Sequence, residues 1–350
     1  MKEVICDLCG SSSYKHRHTI KVDDSGLRYY RYTRNLPEQQ RSEMTGKFNI
    51  VQCQNCQLNY VNPRYSTEQL EVVYSSDKII GGNWQSYKYL FDLGQPDEMQ
   101  GQLKTGAYNA RMYDWKFALI EEHNSTKSRK LLDIGCGDGK FVYEAIQRGF
   151  DANGIDLSPD RIEQGRKTYG LGNALRNMNI DDFSADEKFD IITMWDLIEH
   201  LESPSSLLAK LEKISHKDTI IVILTMSLDS ITYKHFGKFW NYMNPTQHLY
   251  YFSHSTLEKM FNKNGLELVA IEMDDSRDKH FIHYLHSIVL GQLNNFIFWL
   301  IRNAGLPSLL KRIGREDLAE RLPKRLENLY PGKYIGRYHD NFVYIAKFRS

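Results

Sequence analysis

Residues 131–139 read LLDIGCGDG, and the fold turns on this stretch. Lys130–Ile134 reads as a short buried strand. It runs through Asp133-x-Gly135-x-Gly137-x-Gly139 into a helical pattern over Lys140–Arg148. Glycines at such a turn reach positive φ and let a ligand approach the backbone closely. The first turn of the following helix leaves N–H groups without intrahelical partners. A strand–turn–helix of this kind belongs at the edge of an open α/β sheet, where ligands bind beyond the carboxyl ends of the strands. A dinucleotide fingerprint needs a glycine three positions after the second one, and Lys140 stands there. A phosphate loop needs Gly-Lys-Ser/Thr, whereas Gly139-Lys140 is followed by Phe141.

The flanking residues alternate as a doubly wound sheet requires. Strands are predicted over Ala152–Leu157, Phe189–Met194, Thr219–Thr225, Leu266–Ile271 and Phe342–Phe348. TIIVILT, at 219–225, has the unbroken apolar character of a strand covered on both faces. Helices are predicted over Asp114–Glu122, Ser205–Ile214, Ser255–Asn264 and Pro159–Tyr169, the last capped by Ser158 with Pro159 at its first position. The chain divides into a cysteine-bearing segment (1–75), a polar linker with short helices (76–113), the sheet domain (114–280), and a helical insertion with the final strand (281–350).

LLDIGCGDG closely resembles the first motif of class I S-adenosylmethionine-dependent methyltransferases. The resemblance implies a Rossmann-like seven-stranded sheet and methyl-transfer chemistry. In that family the acid at the strand end and the glycines hold the methionine part of the cofactor, which falls here on Asp133, Gly135 and Gly137. Asp156, in GIDLS, is the expected ribose partner. The adenine position falls near NMNIDD, on Met178 and Asn179, and Trp195 completes the cofactor-binding set.

After Trp195 come Asp196, Leu197, Ile198, Glu199 and His200, and a second histidine, His248, lies in NPTQHLYYFS. Loops at the carboxyl ends of neighbouring strands open on one rim, so the two histidines can converge. Small-RNA 2′-O-methyltransferases and ubiquinone-pathway O-methyltransferases carry a similar acid–acid–histidine turn as magnesium ligands. Sugar C-methyltransferases carry a histidine near each of these places, the second working as an acid–base group, although Gln247 here replaces their glutamate. A histidine with its ordinary pKa near 6.5 suits a general base, while a hard cation lowers a hydroxyl pKa directly and prefers carboxylate oxygens. His248 is therefore the candidate general base, with His200 and Glu199 positioning it or holding magnesium. The expected acceptor is a sugar, nucleotide-linked or within a glycan of surface polysaccharide. Two alternatives stay open. One is a metal-dependent O-methyltransferase acting on RNA or on an aromatic or lipid-linked acceptor, with a divalent metal at Asp196, Glu199, His200 and His248. The other is a binding module whose methyltransferase domain only senses the cofactor.

Four of the five cysteines form two pairs, Cys6-x-x-Cys9 and Cys53-x-x-Cys56. Two such pairs supply a closed tetrahedral thiolate cage for structural zinc. A redox dithiol is the rival, and His16 and His18 are substitute ligands. The order of cysteine pairs, CQLNYVNPR, LLDIGCGDG, the WDLIEH turn and NPTQHLYYFS resembles the zinc-ribbon-fused class I methyltransferases over most of residues 1–272. Tyr29, Tyr30, Tyr60, Tyr65 and Tyr74 either line the acceptor side of the cleft or pack the small domain, and packing is the favoured reading. A formal net charge of +1 gives no global pull toward nucleic acid or an anionic surface, so no nucleic-acid partner is expected. The opening MKEVICDLCG has no apolar core of a signal peptide, and a cytoplasmic protein is expected. Ile288–Ile301 is too short and too polar for a membrane span, which leaves peripheral membrane contact, a lid or a packed cap as readings of that stretch.

Overall fold

The computed structural model describes residues 1–22, 45–70, 107–126, 128–182, 187–240, 242–273 and 340–349. Two sheets organise them. The N-terminal sheet contains β1 (Tyr14–Val22), β2 (Gly46–Cys53) and β3 (Asn59–Val61), joined by β9 (Tyr250–Tyr251) from far along the chain. The sheet domain starts with helix α1 (Ala107–His123) and continues through β4 (Lys130–Ile134), α2 (Lys140–Gln147), β5 (Asp151–Asp156), α3 (Pro159–Tyr169) and β6 (Leu175–Asn177). It then runs through β7 (Phe189–Trp195), α4 (Pro204–Leu211), β8 (Ser215–Met226) and α5 (Ile231–Phe236). After β9 come α6 (His254–Lys263), β10 (Leu266–Met273) and β11 (Asn341–Phe348).

The seven strands lie in the order β10-β11-β8-β7-β4-β5-β6. β6, β5, β4, β7 and β8 are parallel neighbours, and β11 is antiparallel to both β8 and β10. The chain winds outward from β4 to one side and then, from β7, to the other. That reversal is the topological switch point where such sheets open a crevice. The central strands are apolar on both faces because both faces are covered: Leu131, Leu132, Ile191, Ile192, Met194 and Ile220 through Ile223 are buried.

Local chemistry sets the helix ends. Ser158 Oγ accepts from Arg161 N at 3.3 Å and Pro159 opens α3, while Gly170 ends it in the left-handed region. Ser253 and Thr256 form a reciprocal capping box at the start of α6.

The differences from expectation lie at short or polar elements. Strand β6 is too brief to show alternation, and helix α1 starts at Ala107 rather than Asp114. Strand β8 begins at Ser215, four residues ahead of its apolar run, because β7 pairs with it from there. The N-terminal strands escape a periodicity search because β1 is an exposed edge strand interrupted by a bulge between His16 and His18. A single hydrophobic cluster runs from Cys6, Phe48 and Tyr60 through Met194 and Ile198 to Leu249 and Tyr344, so the two sheets share a core. The expected insertion at 281–335, with Ile288–Ile301, lies outside the described residues, as do Tyr29, Tyr30 and Tyr74. Among the described residues no helix is long and apolar enough to cross a membrane.

Candidate active site

The cofactor-binding residues expected from sequence come together along one rim. Asp133 lies within the carboxyl end of β4, Asp156 ends β5, Met178 and Asn179 follow β6, and Trp195 ends β7. Gly135 and Gly139 both have φ of 73°. A Cβ on Gly135 would sit 2.8 Å from Leu197 Cδ1, and one on Gly139 would sit 2.6 Å from Leu175 Cδ2, so another residue would have to push these leucines aside and also hold a positive φ that favours glycine. Asp156 locks the turn in place. Its Oδ2 accepts from Gly137 N at 2.9 Å and its Oδ1 from Ser158 N at 2.8 Å. Met178 N and Asn177 Nδ2 both donate to the Asp156 carbonyl, which brings Met178 and Asn179 beside it.

Asp133 is 2% exposed, and Thr193 Oγ1 donates to its Oδ1 at 2.6 Å. Burial pushes its carboxyl up to about 7, against the pull of Thr193 and the Lys116 ammonium. Lys116 Nζ stands 3.8 Å above the Trp195 ring, with Tyr113, Trp115 and Phe141 also around it.

S-adenosylmethionine presents an ammonium, a carboxylate, a sulfonium and a ribose diol. The rim offers a match to three of these: carboxylates at Asp133 and Asp156 for the ammonium and the diol, and a cation at Lys116 for the carboxylate. Among the described residues the buried indole N–H groups of Trp115 and Trp195 meet no acceptor, and a ligand carboxylate would satisfy such donors. The residues fit the cofactor.

The two histidines converge. The ring centroids of His200 and His248 are 4.9 Å apart and the rings meet edge to face. His200 Nδ1 lies 2.9 Å from Gln247 O, and His248 Nδ1 lies 2.7 Å from Tyr242 O. A carbonyl can only accept, so each Nδ1 carries the proton and each Nε2 carries the lone pair. Glu199 is 2% exposed and accepts from Thr225 Oγ1 at 2.9 Å; burial and then Asp196 push its carboxyl up. Burial lowers His200 to about 3 and His248 to about 4. Those values depart from an ordinary histidine pKa: burial keeps the pair neutral at pH 7 and of low basicity. Asp196 takes φ of 50° and turns the chain off β7 into the short 3₁₀ turn Ile198–His200. One ligand atom from each of Glu199, His200 and His248 falls within 4.8 Å of the others, and Asp196 is not in that group.

Cys6, Cys9, Cys53 and Cys56 form the second cluster, also within 4.8 Å of one another. The Sγ atoms of Cys6 and Cys56 are 3.4 Å apart and those of Cys9 and Cys53 are 3.5 Å apart. A tetrahedral zinc with bonds of about 2.3 Å places its sulfurs roughly 3.8 Å apart, so the four thiols fit a structural zinc. Burial raises the Cys6 thiol and pushes Cys56 up to about 11. Cys9, against its own desolvation, is held down to about 7 by the Ser11 backbone and the Asn55 amide. His16 and His18 turn elsewhere, to Thr19 and to Tyr233. Tyr60 and Tyr65 are buried in the small domain, as the packing reading expects.

Three residues of the site are absent from the sequence reading. Lys116 lies on a helix whose polar register shows no special pattern. Thr193 sits inside an apolar strand, where it reads as a β-branched filler. Gly165 is legible in hindsight as a lone glycine in the middle of a helix: a Cβ there would stand 2.0 Å from Asp138 O in the glycine turn.

Residues 108–271 match a family model described as a methyltransferase domain. Among curated proteins, a ubiquinone biosynthesis O-methyltransferase of Methylococcus capsulatus is 28% identical over 117 residues, which are 32% of this chain and 49% of that protein. The corresponding enzyme of Pasteurella multocida is 28% identical over 123 residues, 31% of this chain and 51% of its own. The chain thus spans about half the length of these relatives. Among solved structures, the plantazolicin methyltransferase BpumL in complex with S-adenosylhomocysteine is similar at 14% identity, covering 80% of this chain and 94% of that one, with a TM-score of 0.44. The magnesium protoporphyrin IX methyltransferase ChlM of Synechocystis with bound S-adenosylhomocysteine is similar at 16% identity, over 59% and 93%, with a TM-score of 0.42. With the strand order, the glycine turn and the family match all falling on the same residues, residues 108–271 are a class I S-adenosylmethionine-dependent methyltransferase domain.

Proposed function

We propose that the protein transfers a methyl group from S-adenosylmethionine to an acceptor hydroxyl placed at the His200–His248 pair. The observation that carries the reading is the convergence of both imidazoles on the rim that holds the glycine turn. When bound, the cofactor supplies an electrophilic methyl group on sulfur. Asp133, Asp156, Lys116 and the turn glycines orient it. His248 Nε2, neutral at pH 7 and with its tautomer set by the Tyr242 carbonyl, takes the proton from the acceptor oxygen, whose acidity rises steeply as the carbon–oxygen bond forms, so that a weak base suffices. His200 and the half-buried ring of Tyr242 flank His248 on the acceptor side, while the fully buried Tyr251 ring backs it from the core. The Tyr242 ring suits the apolar face of a sugar, and a sugar is the acceptor class proposed.

A second reading has its own observation. Glu199, His200 and His248 converge at metal-ligand spacing, and each histidine offers its Nδ1–H to a backbone carbonyl, as metal-bound histidines commonly do. A divalent cation there would lower the acceptor hydroxyl pKa in place of a strong base. The ubiquinone-pathway relatives are O-methyltransferases by name, which agrees with a hydroxyl acceptor under either reading.

The test is methyl transfer followed by mass spectrometry over a panel of nucleotide sugars, free sugars and catechols. A mild chelator that spares the thiolate zinc is added in parallel. A product that forms despite the chelator and disappears in His248→Asn supports the base mechanism. A product lost with the chelator and restored by magnesium supports the metal mechanism. Failure of the protein to bind S-adenosylhomocysteine at all refutes both.

A further inference from the structure

The turn carrying Glu199 and His200 is held from outside the sheet domain. Asp7 lies inside the first cysteine knuckle, between Cys6 and Cys9. Its Oδ1 accepts from Ser203 Oγ at 2.6 Å and its Oδ2 from Ser205 N at 2.8 Å. Ser203 also caps α4 by accepting from Ser206 N. Between these points, the Glu202 carbonyl accepts from Arg64 Nη2 at 2.8 Å and from Tyr250 Oη at 2.9 Å, and Lys2 Nζ lies 2.6 Å from the Glu202 carboxylate. The loop that follows His200 is thus tied to the N-terminal segment at Lys2, Asp7 and Arg64.

The second histidine is tied there as well. β3 pairs with β9, and Val61 N donates to Leu249 O at 2.9 Å, one residue after His248. Leu249 N donates to Glu199 O at 2.8 Å, and His200 Nδ1 reaches Gln247 O. On the knuckles themselves, Lys263 Nζ donates to Asp7 O and Lys259 Nζ to Cys56 O. The glycine turn, by contrast, donates its backbone N–H groups to Ile155 O and to the Asp156 carboxylate of the sheet domain, and Ser158 N holds that carboxylate.

We propose that the four-cysteine ribbon is the positioning frame of the histidine pair, with Asp7 as its positioning residue. This builds on the proposed function, which makes the pair the place where the acceptor reacts. The physical basis is that a cysteine knuckle keeps its backbone shape only while its thiolates are held together. With a metal in the cage, the Asp7 carboxylate is fixed and makes two charge-assisted hydrogen bonds to the loop. Without it the knuckle relaxes, the loop after His200 loses its closure, and the imidazoles lose their shared geometry. The cofactor rim keeps its own bonds. The acceptor end and the cofactor end of one site therefore answer separately to the state of the ribbon.

The test uses the full zinc-loaded chain with Asp7→Asn, and Ser203→Ala as a change at the other end of the same link. Imidazole carbon–proton signals are recorded by NMR, assigned with His200→Gln and His248→Gln. Amide exchange is followed over residues 198–205, and S-adenosylhomocysteine binding is measured by calorimetry. Zinc content is measured in parallel, and zinc-depleted wild type is a third sample. The expected result is shifted or broadened His200 and His248 signals in all three samples. Loop exchange should be about tenfold faster, zinc should stay bound in both variants, and S-adenosylhomocysteine affinity should remain within about twofold of wild type. Histidine signals and loop exchange identical to wild type in Asp7→Asn and in the zinc-depleted protein would overturn the proposal. The calorimetry separates the two ideas: wild type that does not bind S-adenosylhomocysteine refutes the methyltransferase reading, whereas binding with indifferent histidines refutes only the frame.

Discussion

Replacing Gly165 by alanine should damage cofactor binding from a position packed behind the glycine turn. Gly165 lies on the buried side of α3, where the helix presses against the glycine turn. An added Cβ would meet Asp138 O at 2.0 Å, Asp138 C at 2.7 Å and Leu175 Cδ1 at 2.8 Å. Leu175 can yield by rotating, but the Asp138 carbonyl is backbone between Gly137 and Gly139. Reaching even a tight contact of 3.0 Å requires helix and turn to separate by about 1 Å. Overpacking of this kind costs about 1–3 kcal/mol, and the better helix propensity of alanine returns roughly 1 kcal/mol. The net loss of stability is therefore small, on the order of 0–2 kcal/mol. Binding should suffer more, because the displaced turn is the binding surface: an affinity loss on the order of 10–100-fold is expected from a displacement of about 1 Å. Denaturant unfolding and calorimetric titration with S-adenosylhomocysteine measure the two quantities, and Gln164→Ala, on the exposed side of the same helix, is the control. A Gly165→Ala protein that binds S-adenosylhomocysteine as tightly as the control would refute the reasoning, since the turn would then be shown to tolerate the separation.

Asp133→Asn should stabilise the fold at and above pH 7 while weakening S-adenosylmethionine binding. The folded carboxyl titrates at about 7 against 3.8 when unfolded, so the native state gives up stability as pH rises between those values. Asparagine still accepts from Thr193 and removes that penalty, on the order of 2–4 kcal/mol at most; urea midpoints at pH 5 and pH 8 should show the gap between variant and wild type widening at the higher pH. Lys116→Met should weaken S-adenosylhomocysteine by roughly 10–100-fold while leaving 5′-methylthioadenosine, which lacks the amino-acid group, unaffected; equal losses for both ligands would place Lys116 elsewhere. Cys53→Ser should release zinc, seen by elemental analysis, and lower the melting temperature by about 10 °C or more; retention of a full metal equivalent would contradict the four-thiolate cage.

The parts of the molecule legible in its sequence are those whose physics is local. LLDIGCGDG announces a strand, a turn and a helix because the conformational demand and the residue types lie within nine consecutive positions. TIIVILT announces a strand buried on both faces for the same reason. The cysteine pairs are legible because ligand spacing is a property of one short knuckle. What stayed hidden depends on distant partners. The β3–β9 pairing joins residues almost two hundred positions apart, and β9 is only a dipeptide, with no period to detect. The low basicity of His200 and His248 comes from burial by segments that meet only after folding. Lys116 and Gly165 gain their meaning from what they face, Trp195 in one case and the Asp138 carbonyl in the other.

The β9 dipeptide bears on the ancestry and engineering of the chain. Zinc ribbons are commonly treated as cassettes, added to or removed from an enzyme at a linker. Here the fourth strand of the ribbon sheet is donated by the methyltransferase domain, through Tyr250 and Tyr251, both buried. Excising the first seventy-five residues would bare the outer edge of that strand and the apolar flank beneath it, an invitation to pair with another chain. Exchanging the ribbon for one from a different enzyme would require the newcomer to match both the register at Asn59 and Tyr60 and the seat for Asp7 on the neighbouring loop. Ribbon and enzyme are in this sense a single heritable unit, and substitutions on either side of the seam should be found to depend on one another.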